Sequence, residues 1–300
     1  RSGAPAIGPR CCVFVHFDDK GLVRPHTRTY LLALREAGFS VIFVSNAGLL
    51  RGDAVDWLAE HCALILFRRN RGYDFGAYRD GIAALFEVHG QTELLLLAND
   101  SVYGPLSPLR DVFAQMDFAA ADVWGLTESW QHRHHLQSYF LVFGPTALAN
   151  KGFATFWQGV RNVRSKWAAI RFYELKLAHE LQLSGLRSAA VWDYFALLDS
   201  IQEFHDSPDF KNDINDAKSP SRLATEIVLS NRYQCITMNP TSDLWLALLH
   251  SGFPFIKREL LRFNRGRILD IYEWHRVVRE CAPEIYKLII EDLRLNIRKK

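Results

Sequence analysis

Short apolar runs alternate with stretches of helical periodicity through the first hundred residues. Cys11 to Phe17 reads as a strand. From Pro25 the apolar positions Tyr30, Leu31, Leu34 and Ala37 recur at helical spacing until Gly38, which predicts a helix ending there. Ser40 to Ser45 predicts a second strand, Asp53 to His61 a second helix, and Ala63 to Phe67 a third strand. A helix from about Phe75 to Val88 and a fourth strand, Leu94 to Ala98, follow. Strand and helix in turn predict a parallel sheet covered on both faces. Ligands of such open sheets lie outside the C-terminal strand ends, so the candidate site loops are His16 to Asp19, Ser45-Asn46, Arg68 to Asp74 and Asn99 to Ser101.

After Gly104-Pro105-Leu106 the pattern changes. A helix near Pro108 to Gln115, an apolar segment Asp122 to Leu126 and an alternating strand Gln137 to Phe143 predict a mixed second half. A long helix from about Ser165 to Leu183 is expected to end at Gly185, with a strand Ser188 to Trp192 after it. The polar stretch Phe204 to Ser221 reads as a mobile loop. Beyond Asn239-Pro240 the segments Ser242 to Leu249, Lys257 to Phe263, Leu269 to Cys281 and Pro283 to Arg298 read as helices punctuated by Pro240, Pro254 and Pro283. The expected organisation is a disordered or expression-derived lead over 1–10, an α/β domain over 11–238 and a C-terminal helical extension over 239–300.

A chain of 300 residues, 49% hydrophobic and 13% aromatic, is long enough to bury a substantial core. Its net charge of +3 is too small to argue for nucleic acid as a partner. No apolar run approaches the roughly 20 residues that span a bilayer. Arg1 to Arg10 lacks a hydrophobic signal core and an initiator Met, which suggests a cytoplasmic fragment or trimmed chain. The five cysteines, Cys11, Cys12, Cys62, Cys235 and Cys281, show no CxxC spacing and read as reduced core residues.

Candidate chemistry concentrates between Asn70 and Gly104. Glycines at 72 and 76 let the backbone approach a ligand, Arg79 can pair with phosphate, and a helix opening near Asp74 offers backbone donors to an anion. Asp100 stands at a strand tip. There it can hold a divalent metal that bridges the phosphates of a nucleotide sugar. Asn99-Asp100-Ser101 taken alone reads as a turn or helix cap, since Asx and Ser residues favour both. Gln131-His132-Arg133-His134-His135 reads as a polar connection between Trp130 and the strand at Gln137 that shapes the acceptor side of the site with Glu128 and Gln137, or supplies a metal ligand. The last helix carries the apolar stripe Ile285, Leu288, Ile289, Leu293 and Ile297 beside a basic end. It can pack on the domain or rest on an anionic membrane.

Asn70-x-Gly72-(x)6-Arg79-x-Gly81, then a strand and Asn99-Asp100-Ser101, resembles the loop, helix and metal-binding element of family-two glycosyltransferases with the GT-A fold. Arg69 to Tyr78, Asn99-Asp100-Ser101-Val102-Tyr103-Gly104-Pro105, and Trp124 to Ser129 with Gln137-Ser138-Tyr139-Phe140 resemble the rhamnan-synthesis F family more closely. The likeness continues through Asn239-Pro240-(x)4-Trp245 and Phe253 to Leu261.

The resemblance implies a GT-A-like, Rossmann-like mixed sheet flanked by helices. It also implies transfer of a sugar, often a deoxyhexose such as rhamnose, from a nucleoside diphosphate sugar to a bacterial surface polysaccharide. His16, Asp18, Ser45 and Asn46 would then face base and ribose, and Asn70, Gly72, Asp74 and Arg79 the nucleotide and diphosphate. Asn99 and Ser101 would flank Asp100, which would coordinate Mg or Mn. Position 98 is Ala and position 101 is Ser, so the paired acids of a full DxD are absent. The spacing from Tyr173-Glu174 to Gly185 and the following strand places Glu174 as general base of an inverting displacement, with Glu128 and Asp193 in reserve. Acceptors implied are a glycan or lipid-linked glycan at the inner face of the bacterial membrane, with peripheral membrane association and further domains in the natural protein. The alternative is a degenerate sugar-binding or scaffolding module. A nicotinamide oxidoreductase is disfavoured, because Phe17-Asp18-Asp19-Lys20-Gly21 is no GxGxxG turn.

Overall fold

The computed structural model describes residues 5–208, 210 and 219–297. By internal contacts the chain forms two compact units, the first from residues 1–100, 108–126 and 135–191, the second from 101–107, 127–134 and 192–300.

The first unit is built on β1 (Arg10–His16), β2 (Ser40–Ser45), β3 (Leu64–Phe67) and β4 (Leu94–Asn99), which pair in the order β3-β2-β1-β4 and are all parallel. Three helices, α1 (Pro25–Glu36), α2 (Ala54–His61) and α3 (Tyr73–His89), make the crossovers. Each predicted strand and helix of this half is present. The sheet then turns mixed: the strand Phe140–Phe143 runs antiparallel to β4 and to Val123–Ser129, which also pairs with Ser188–Trp192. This is the α/β mixed sheet flanked by helices that the resemblance implies.

Continuous apolar runs suit strands covered on both sides: Cys11 to Val15, Val41 to Val44 and Leu95 to Ala98 are almost wholly inaccessible. Along α3, Phe75, Tyr78, Ile82 and Leu85 recur at helical spacing and enter the same core. Between them Gly81 sets the approach. A Cβ there would stand 2.4 Å from Val13 Cγ1 and 2.9 Å from Val44 Cγ2, so the helix lies against β1 and β2 only because the side chain is hydrogen.

Several expectations need correction. The single helix expected from Ser165 carries a π turn, Ile170–Glu174, between Lys166–Ala169 and Leu175–Leu183. Helices Lys151–Gly159 and Pro220–Tyr233 are additional. Of the expected loop Phe204 to Ser221, positions 209 and 211–218 lie outside the described residues, and its flanks are helical. Positions 1–4 of the lead also lie outside. From Ala6 on the lead is bonded to the sheet region: Ser40 Oγ donates to the Ala6 carbonyl and accepts from Gly8 N, and the Pro9 carbonyl accepts from Glu93 and Leu94. All five cysteines are free, but Cys235 and Cys281 are exposed rather than core.

The second unit has its own core of Tyr103, Trp245, Ile256, Leu260, Ile271, Trp274, Val278, Ile285 and Ile289. Tyr103 donates to Asp292 Oδ2 at 2.6 Å and Trp245 Nε1 to Asp270 Oδ1 at 2.9 Å, satisfying polar groups inside it. The stripe Ile285, Leu288, Ile289 and Leu293 of the helix Pro283–Ile297 therefore packs into this core. No helix among the described residues is long and apolar enough to cross a membrane.

Replacing Gly81 by Ala should cost roughly 1–3 kcal/mol through overpacking, despite alanine's better helix propensity. Gly159→Ala, where nothing lies within 4 Å, should stay within about 0.5 kcal/mol of wild type. Urea unfolding of both variants checks the contrast, and equal stabilities would remove the close approach from the account.

Candidate active site

Parallel register brings the C-terminal tips of the first four strands to one edge: His16 pairs with Ser45, Ser45 with Phe67, and Val15 with Asn99. Beyond β4 the Asp100 amide donates to the Val15 carbonyl at 3.1 Å, and its carboxylate accepts from the Phe17 amide at 3.4 Å. Beyond β3 the chain must turn sharply into α3. Gly72 at φ +79° and Tyr73 at φ +52° make that turn with two consecutive left-handed residues, a conformation costly for tyrosine. A Cβ at Gly72 would also come within 2.7 Å of Asn162 Oδ1.

The turn delivers Asp74 in the first turn of α3, where Oδ2 accepts from Asn99 Nδ2 at 3.1 Å. Burial, then the charges of Asp100 and Glu174, push the Asp74 carboxyl up to about 6; Lys166 and the Asn99 bond pull the other way. Asp74, Asn99, Asp100 and Glu174 thus form one electrostatic neighbourhood with Lys166 as its cation. Glu174 closes the π turn, and its Oε1 accepts from both the amide and hydroxyl of Ser138 at 2.9 and 2.8 Å. π turns recur at functional sites.

Behind this cluster Arg68 braces the loop. Its guanidinium donates to Asp80 Oδ2 at 2.8 Å, Asn46 Oδ1 at 2.6 Å and the Arg71 carbonyl at 2.7 Å, and more weakly to Asn162 Oδ1. Such a planar fork fixes three segments at once.

Other expected ligand contacts are spent on the protein itself. His16 is buried: Nε2–H donates to the Leu22 carbonyl, so in the neutral ring Nδ1 accepts from Ser45 Oγ. Ser45 is buried on that bond and also accepts from the Ala47 amide. Asn46 is buried beneath Arg68. Asp18 accepts from the amides of Lys20 and Leu22 and from Arg24 Nε at 2.9 Å. Burial alone would raise its carboxyl, but Arg24 and the two amides outweigh that and hold it below the usual range. Arg79, expected on phosphate, donates to Asp80 Oδ1 and the Val160 carbonyl.

Asn70 is exposed at the loop. Gln137 is buried in the first unit, whereas Ser101 and Glu128 belong to the second. Ser101 is exposed and its carbonyl accepts from the Arg258 amide; Glu128 is buried on His134 Nε2 at 2.8 Å. Lys166 and Ser138 carry no signal of their own in the sequence; Arg68 falls in the candidate strand-tip loop Arg68 to Asp74, but its bracing role does not show there.

An aspartate with a raised folded-state pKa lowers stability once it ionises. Its penalty is absent below 3.8, its ordinary value, grows as pH rises, and is complete above about 6. Asp74→Asn should therefore stabilise the chain by roughly 1–3 kcal/mol at pH 8, at about 1.4 kcal/mol per pKa unit, and hardly at all at pH 4. Urea unfolding at both pH values measures this, and a pH-independent difference contradicts the burial of Asp74 beside like charges.

The profile of the family described as rhamnan synthesis protein F matches residues 41–218. Protein y4gN of Sinorhizobium fredii, described as uncharacterized, is 34% identical over 163 residues, which cover 53% of this chain and 42% of that protein. The chain thus spans less than half of that relative's length. Virulence protein VirA of Vibrio anguillarum is 30% identical over 264 residues, covering 85% of this chain and 80% of the relative. Among solved structures, S. aureus TarS 1–349 in complex with UDP-GlcNAc aligns at 12% identity and a TM-score of 0.38, over 95% of this chain and 92% of that one. By the extent of the profile match and of the VirA alignment, the chain belongs to the rhamnan synthesis protein F family.

Proposed function

We propose that the chain is a glycosyltransferase. It moves a sugar, a deoxyhexose such as rhamnose, from a nucleoside diphosphate sugar to a glycan or lipid-linked glycan of a bacterial surface polysaccharide. Membership of the rhamnan synthesis F family supports the class of reaction. The observation that carries the reading is the set of acids at the strand tips: Asp74 accepts from Asn99 next to Asp100, and burial, then the charges of Asp100 and Glu174, make it reluctant to ionise. Repulsion of that kind is relieved by a cation.

Mg2+ characteristically uses one or two protein carboxylates and completes its shell with phosphate and water. Asp100 and Asp74 fit that donor set. Among the described residues no group of three or more His, Cys, Asp or Glu side chains is arranged to hold an ion alone. A bound Mg2+ or Mn2+ would supply countercharge for the departing diphosphate. Lys166 lies in the same field and adds fixed positive charge.

In an inverting displacement the acceptor hydroxyl oxygen forms a bond to the anomeric carbon as the bond to the diphosphate oxygen breaks. The hydroxyl proton passes to a base. Glu174 suits that role: Ser138 fixes Oε1 with two donors, leaving the second carboxylate oxygen to take the proton. Asn70 and the left-handed turn at Gly72 would meet the nucleotide. Asn99 would serve by fixing Asp74.

A second reading, a sugar-binding module without turnover, draws support from the internal engagement of Arg79 and Asp18. Action at the inner membrane face and further domains in the natural protein belong to the proposal as well. The packed stripe of the last helix lends no support to membrane binding through that face.

Transfer from nucleoside diphosphate rhamnose separates the readings. Glu174→Gln should lower kcat by roughly 10²- to 10⁴-fold, the usual contribution of a general base, while the donor KM stays within about threefold. Unchanged turnover in that variant overturns the assignment of the base, and binding without any turnover in wild type favours the module.

A further inference from the structure

Between Val160 and Glu174 the first unit carries a face that the mechanism above leaves unused. The stretch from Arg161 to Tyr173 holds Arg161, Arg164, Lys166 and Arg171 but no acid, and all four cations are exposed. Lys166 lies in the field of Asp74. The Arg161 guanidinium donates to the Gln158 carbonyl, a neutral group that leaves its charge uncompensated.

Two rings stand among these cations. Trp167 is 61% and Phe172 52% exposed, and the Arg171 guanidinium lies over both, 5.0 Å from the Trp167 ring and 6.0 Å from that of Phe172. Trp167 and Arg171 are i,i+4 neighbours, so they share one side of the helical segment that runs from Lys166 into the π turn.

Underneath, the segment is tied down. Tyr173 Oη accepts from the Arg161 amide at 2.8 Å and donates to the Arg161 carbonyl at 2.9 Å, closing the stretch at its base, and its ring lies 5.7 Å from Phe75. The Val163 carbonyl accepts from the Gly72 amide at 3.2 Å, Ser165 Oγ accepts from the Ala168 amide at 3.1 Å, and Ala169 is buried. A fixed backbone therefore presents the outward face.

Single exposed aromatics are ordinary on protein surfaces. Here two rings that gain by leaving water adjoin a guanidinium that gains from an anion, and the stretch contains no acid to satisfy it. The headgroup layer of an anionic bilayer meets both demands at once, because aromatic rings lie at the level of the phosphates and long cationic side chains reach them. Each Lys or Arg near such a surface strengthens attachment about fivefold. A nucleic-acid backbone would also take the arginines, but a net charge of +3 attracts so dense a polyanion weakly.

We propose that Arg164, Trp167, Arg171 and Phe172 dock the chain onto an anionic lipid bilayer, with the two rings in the headgroup layer and the arginines on lipid phosphates. The use of this surface, though not its existence, rests on the transferase reading. Glu174 closes the same π turn just beyond Phe172, so docking holds the proposed base beside the layer from which a lipid-linked acceptor would project.

Sedimentation of the whole chain with vesicles tests this, with equimolar phosphatidylglycerol and phosphatidylcholine as one probe and phosphatidylcholine alone as the other. Wild type should bind the anionic vesicles at least about tenfold more tightly than the neutral ones, and less tightly as salt rises. Arg164→Gln/Arg171→Gln should lose about tenfold or more of that affinity, and Trp167→Ala about threefold or more. In wild type the amides from Val163 to Phe172 should exchange hydrogen more slowly once anionic vesicles are added, a readout that needs no variant to fold. Equal binding of the two kinds of vesicle, or undiminished binding by folded Arg164→Gln/Arg171→Gln, overturns the docking surface. A DNA duplex held by wild type as tightly as the anionic vesicles overturns the assignment to lipid. Nucleoside diphosphate rhamnose is titrated separately into wild type without vesicles: failure of that titration alone overturns the donor site and leaves the docking surface standing.

Discussion

The contact on which the site depends is the flush packing of α3 against β1 and β2 at Gly81. With no Cβ between the helix and Val13 and Val44, the N-terminus of α3 reaches the strand tips, and Asp74 meets Asn99. Arg68 completes the constraint from the other side by tying Asp80 of α3 to Asn46 beyond β2 and to the loop carbonyl of Arg71. A carboxylate placed by rigid helix and strand, rather than by a free loop, is held where repulsion from Asp100 and Glu174 would otherwise move it.

The resulting electrostatics explain both cost and use. Asp74 is kept near like charges although its burial penalises ionisation, which lowers stability at neutral pH. Local sacrifices of this kind cluster where binding or catalysis needs them. The left-handed Tyr73 and the π turn ending at Glu174 are further irregularities in the same neighbourhood. Regular geometry elsewhere in the sheet makes these departures conspicuous.

The parallel half of the sheet was legible from sequence because continuous apolar runs and helical periodicity are local signals. Asp74, Asn99 and Asp100 are legible as candidates for the same reason, at a predicted helix start or strand tip, whereas Glu174 is singled out only by the family resemblance. Their partners are not legible. Asn99 meets Asp74 across 25 residues and Ser138 meets Glu174 across 36, and no spacing rule announces such pairs. His16 and Asp18 at a strand end and Arg79 within α3 show the converse: they look ligand-facing in sequence, but they bond Leu22, Arg24 and Asp80. Helix Pro220–Tyr233 was missed because Ser, Thr and Arg dilute its apolar face, of which only Val228 is fully buried.

Donor binding at the strand tips is the central claim, and calorimetric titration of nucleoside diphosphate rhamnose into the chain tests it most directly. Wild type should bind in the presence of Mg2+, and either chelation of the metal or Asp100→Asn should weaken binding by about tenfold or more, about 1.4 kcal/mol. Equal affinity in wild type and Asp100→Asn, with and without Mg2+, would contradict the account.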